Sequence, residues 1–105
     1  MDKEELLSKV KQNLILTHSE DDDLLETLID SAIRYAEEYQ HIDEYYYDEN
    51  EMSATTQQGV IMLASYFYES RDGSTAGYFQ NDVNASQQVW NVVNMLFRLG
   101  RNWQV

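Results

Sequence analysis

The chain has no cysteine and no proline, only 4 glycines, and 7 basic residues against 19 acidic ones in 105 positions. Without cysteine there is no disulfide framework and no thiolate metal chemistry, so nothing requires an oxidising compartment and the cytoplasm is the default expectation. No apolar run approaches the ~20 residues that span a bilayer. The opening "MDKEELL" is charged and amphipathic rather than a secretion signal. Membrane insertion is not expected. Basic charge is too sparse for a nucleic-acid footprint. Residues 1–52 hold 16 acids against 4 bases, residues 53–105 hold 3 against 3, and the whole net charge of −12 therefore sits in the first half. Such a surface repels phosphate. It leaves two roles open: a protein that surrounds DNA without holding it, or one that imitates DNA towards a basic partner.

Catalytic groupings are missing too. There is no nucleophile motif, no phosphate-cradling glycine loop and no His–acid–Ser grouping, so neither an enzyme nor a cofactor is expected. His18 and His41 flank one helix, more than twenty residues apart, and cannot meet at one metal or base; both are expected at the surface. The acids Glu20 to Asp23 point in different directions around a helix start, and "DEYYYDENE" lacks the turn glycine of a calcium loop. Neither reads as a metal site.

What is present is helical spacing. The pattern predicts an all-α fold, a small bundle of about four helices in one domain over residues 1–105, with a long loop between helices three and four. The first helix runs from Lys3 to Leu14, with Leu6, Leu7, Val10 and Leu14 on one stripe and Asp2 and Glu5 at capping-box spacing. The second starts in "SEDDD", with Ser19 as its N-cap, and continues to about Gln40 on Leu25, Leu28, Ile29, Ala32, Ile33 and Ala36. Arg34 has Asp30 and Glu38 four residues to either side.

"HIDEYYYDENEM", from His41 to Met52, is predicted as a loop. Ser53 caps a third helix whose centre, Val60 to Tyr68, is apolar nearly all round except at Ser65, which implies burial among other helices. Arg71 to Gly73 end it. The loop "GSTAGYFQNDVNA" follows, then a fourth helix from near Ser86 with Val89, Val93, Leu96 and Phe97 inward and Gly100 as terminator.

Interface-type side chains collect in the second half: Tyr66, Tyr68, Glu69 and Arg71 at the third helix's end, Tyr78 and Phe79 in the loop, and Arg98, Arg101 and Trp103 at the carboxyl terminus. Tyr, Trp, Phe and Arg are enriched at the centres of protein interfaces. Tyr66 and Tyr68 equally suit a core edge with hydroxyls in water, whereas Tyr78, Phe79 and Trp103 are expected to contact another chain. Glu69 and Arg71 are two residues apart and do not pair along a helix face. Arg71 is expected to reach an acid on the second helix or on a neighbouring subunit.

Taken in order, "LLSKVKQNLIL", "EDDDLLETLIDSAIRYAEEY" and the helix ending "YFYESRD" resemble the head-tail connector, or adaptor, proteins of tailed bacteriophages and prophages. Tyr68, Glu69 and Arg71 match the family's closing Tyr-Glu-x-Arg-like motif. Where the family carries a glycine and proline turn, this chain has the stretch Tyr45 to Glu51, and its carboxyl end is longer than a minimal member's.

The resemblance implies a structural virion protein, made in the host cytoplasm and placed at the head-tail junction, whose subunits self-associate into a ring beneath the portal. DNA passes through the ring without specific binding, and a neck, stopper or tail-completion protein docks below. By that analogy Arg98, Arg101 and Trp103 are portal-docking candidates, and Tyr78 and Phe79 candidates for subunit or neck-protein contacts. The alternative is an acidic DNA mimic that inhibits a host DNA-binding protein, for which the neutral, aromatic second half has no use.

Overall fold

A computed structural model describes residues 2–70 and 83–100. Among them are five helices and no strand: α1 (Lys3–Leu14), α2 (Asp22–Tyr39), α3 (Tyr46–Glu49), α4 (Ala54–Glu69) and α5 (Val83–Gly100). The long helices run up, down, up and down. Lys11 meets Asp22, and Lys3 meets Asp30, across the α1–α2 pair. Gln40 reaches Thr56, and Tyr68 reaches Asp21, across α2–α4.

Local chemistry sets most helix ends. Asp2 Oδ1 accepts from the amides of Glu4 and Glu5 at 3.0 and 3.2 Å, and Ser53 Oγ accepts from the Thr56 amide at 3.2 Å, so both residues cap their helices, while the Glu5 carboxylate of the expected capping box pairs with Lys9 at 3.0 Å. Ser19 does not cap α2. The helix starts later, with Asp21 at the cap position, and the Ser19 carbonyl accepts the Asp22 amide at 3.3 Å. α1 and α2 both end in a left-handed residue followed by a six-to-one hydrogen bond, Leu16 to Lys11 and Ile42 to Glu37. The left-handed positions are filled by Ile15 and His41, where glycine is usual.

α4 is surrounded as its composition requires, packing on α1, α2 and α5. The core joins Leu6 and Val10 of α1, Leu25, Ile29, Ala32, Ile33 and Ala36 of α2, Val60, Ile61, Leu63 and Ala64 of α4, and Val93 and Phe97 of α5. Leu7, Leu14 and Val89 line its edge rather than its centre. Trp90, which the expected inward set omits, packs there as well, edge-on to Tyr35, Tyr66 and Phe67. Gly59 faces the Phe97 ring so closely that a Cβ there would lie 2.5 Å from Cε1. Ser65, the polar exception in α4, is buried and accepts from Asn13 Nδ2 at 2.9 Å.

Two expected boundaries shift. The loop of residues 41–52 contains the single turn α3, and α5 begins at Val83, before Ser86. Residues 71–82, which hold most of the expected long loop, lie outside the described residues.

Candidate interaction surfaces

The polar organisation of the bundle centres on two side chains that periodicity does not mark out, Glu37 and Gln40. Both are buried at the end of α2. Gln40 Nε2 donates to Thr56 Oγ1 and to the Phe97 carbonyl, each at 2.9 Å, while the Tyr47 hydroxyl donates to Gln40 Oε1. One amide thus ties α2, α3, α4 and α5 together at a single level. Gly100 completes the junction: a Cβ there would fall 2.1 Å from Thr56 Oγ1 and 2.6 Å from Ser53 Oγ, so any larger residue would displace the hydroxyls at the start of α4. Burial pushes the Tyr47 phenol above its ordinary pKa.

Glu37, 1% exposed, accepts from the Tyr45 amide at 3.0 Å and the Tyr47 amide at 2.9 Å. Arg34 stands beside it, with Nη1 at 3.1 Å from Oε1. The guanidinium also meets Asp48 at 2.7 Å and Asp30 at 3.4 Å, and lies 4.3 Å from the centre of the Tyr45 ring. Of the two partners expected for Arg34, Asp30 is found and Glu38 is not. Glu38 is exposed, and the arginine turns instead to the buried Glu37 and to Asp48 from α3. The hydrogen bond from Arg34 holds the Asp48 carboxyl below its ordinary pKa, with the charges of Arg34 and Lys3 acting in the same direction.

This clamp fixes an acidic aromatic segment. Tyr45 takes a left-handed conformation at φ 68° and is 57% exposed, and Tyr46 beside it is exposed as well. Asp43, Glu44, Glu49 and Glu51 surround them in solvent. At the other end of the bundle, the Tyr68 hydroxyl donates to Asp21 Oδ2. The helix-end motif therefore touches the start of α2 through its tyrosine. Tyr66, Tyr68 and Glu69 are half-buried, whereas Arg71 lies outside the described residues.

Arg98 is exposed on the last turns of α5. Arg101, Trp103, Tyr78 and Phe79 lie outside the described residues. The outer face of α5 carries a second apolar stripe that the inward set leaves out: Val92, Met95 and Leu99, exposed and spaced i, i+3, i+7, with Leu99 at 61%. That spacing is legible in the sequence as apolar residues beyond those needed for one buried face.

His18 and His41 are both exposed. No group of three or more His, Asp or Glu among the described residues is placed to hold a metal ion, and no described helix is long and apolar enough to cross a membrane. The site is thus a set of surfaces around a polar-locked bundle. In comparison with known proteins, the family model described as phage gp6-like head-tail connector protein matches residues 4–94. No curated protein and no solved structure matches the chain.

Proposed function

Since this chain belongs to the phage gp6-like head-tail connector family, a family of structural phage proteins, we propose that it forms a ring beneath the portal, extends the DNA channel and offers a docking site to a stopper or tail protein. The family match over residues 4–94 carries this reading. The physical character of the chain supports it. A conduit must not grip its cargo, and a net charge of −12 disfavours phosphate binding. A ring subunit also needs apolar and aromatic surface beyond a monomer's needs, which Leu99, Met95, Tyr45 and Tyr46 supply. The acidic-mimic alternative has no comparable support.

Within this reading the carboxyl-terminal end docks the portal through Arg98, Arg101 and Trp103, and Tyr78 and Phe79 meet a neighbouring subunit or the next neck protein. The Tyr68, Glu69 and Arg71 helix end joins the bundle to that contact segment. A tagged pull-down from cells producing the source phage tests the whole scheme. Recovery of portal protein, lost on deleting residues 98–105, is the expected result. Recovery of a host nuclease or repressor without virion proteins sinks it.

A further inference from the structure

Two clusters of exposed apolar side chains among the described residues lie on opposite flanks of α2. Asp30 and Arg34 form one row on that helix and face Lys3 of α1 and Asp48 of α3. Tyr35 and Tyr39 form the row on the other side of the buried stripe and face α5, with the Tyr35 hydroxyl on Asn94 at 2.7 Å and both rings against Phe97. The Tyr45–Tyr46 pair belongs to the first flank and the Val92–Met95–Leu99 stripe to the second. Both stand near one level of the bundle, because Tyr47 and the Phe97 carbonyl share the Gln40 amide.

Charge decides which flank can meet which. Around the tyrosines stand the exposed acids Asp43, Glu44, Glu49 and Glu51, so two such flanks brought together would oppose like charges. α5 contains no acid, and its single charge is Arg98, one turn from Met95. A surface that excludes itself and complements the opposite flank of the same molecule generates head-to-tail contacts, the type that closes rings. The tyrosine pair is also held ready: Glu37 accepts the Tyr45 and Tyr47 amides, and Arg34 supports the Tyr45 ring, so little ordering remains to be done on contact.

We propose that Tyr45 and Tyr46 of one copy pack on Val92, Met95 and Leu99 of a second copy of this chain, with Arg98 at the edge of the seam facing the acids that flank the tyrosines. The seam deepens the connector reading and rests on it for the ring. Methionine against an aromatic ring suits the contact, since the thioether adapts to the ring edge.

The absence of native cysteine makes the test direct. Tyr46→Cys and Met95→Cys are made singly, and oxidative crosslinking is run at concentrations where sedimentation shows the unmodified chain to be oligomeric. A mixture of the two variants gives a crosslinked dimer and neither variant alone does; the double variant gives a ladder. Tyr46→Ala weakens self-association by at least about tenfold, the loss expected for an interface aromatic. Dimers from Met95→Cys alone overturn the proposal in favour of α5 meeting α5. Oligomers without crosslinks in the mixture, or no oligomer at any concentration, also overturn it. A monomer that still captures portal protein leaves the connector reading standing without this seam. A crosslinked oligomer that captures none does the reverse.

Discussion

Replacing Glu37 by alanine is the most informative single change to the fold. The carboxylate is buried and accepts two backbone amides at 3.0 and 2.9 Å beside Arg34. Each charge-assisted bond is worth about 1.5–3 kcal/mol, and removing one partner of a buried ion pair costs about 3–5 kcal/mol. Because these terms overlap, and Arg34 keeps Asp30 and Asp48, the expected loss is about 3–4 kcal/mol, set against about 5–15 kcal/mol for a whole domain. Urea unfolding followed by circular dichroism measures it, with hydrogen exchange at the Tyr45 and Tyr47 amides as the local readout. Glu37→Gln keeps one carbonyl acceptor but aims an NH2 at one backbone donor, so it falls between wild type and alanine. A Glu37→Ala protein within about 1 kcal/mol of wild type, its Tyr45 and Tyr47 amides still protected, would refute the clamp.

Three further changes have defined signs. Ile15 is a β-branched residue at φ 59° and 86% exposed, so Ile15→Gly relieves strain at little cost in burial and raises stability by about 1 kcal/mol, read as a higher Tm. Gly59→Ala sets a Cβ 2.5 Å from the fully buried Phe97 ring; overpacking of about 1–3 kcal/mol outweighs the gain of about 1 kcal/mol in helix propensity, and Tm falls. Asp48 has a lowered pKa in the folded state, so its contribution is present above the unfolded value and is lost as pH drops through the folded one, below about pH 4. Asp48→Asn removes that part of the acid-side slope in thermal melts, less than about 1 kcal/mol given the partly exposed carboxylate.

The long helices were legible because each buries one stripe, and burial of a stripe forces a 3.6-residue repeat: of the second helix's expected stripe Leu25, Ile29, Ala32, Ile33 and Ala36 reach the core, while Leu28 stays half-buried. The caps at Asp2 and Ser53 were legible because their side-chain oxygens act within three residues. α3 was not, since a four-residue turn has no period of its own and stands on bonds from elsewhere, chiefly the Glu37 carboxylate. For the same reason Glu37 and Gln40 carry no local mark of burial. Charged and amide side chains enter a core only when the fold delivers partners, and those of Gln40 lie 7, 16 and 57 residues away.

The position of that network bears on how contacts form. Gln40, Thr56, Tyr47 and the Phe97 carbonyl lock the end of the bundle where Tyr45, Tyr46, Leu99 and Arg98 reach solvent. Side chains set on a junction of four elements lose little further freedom on association, because the backbone beneath them is already fixed. The acids of the same segment then act over a longer range: they repel an identical flank and admit the acid-free face of α5, whose one charge is Arg98. Rigidity therefore favours contact at this end, and charge selects its partner, so weakening the clamp and neutralising the acids are expected to harm self-association differently. Glu37→Ala lowers its strength for any partner face, whereas neutral replacements of Asp43, Glu44, Glu49 and Glu51 lower it less, by the loss of their rim contact with Arg98, and relax the head-to-tail preference.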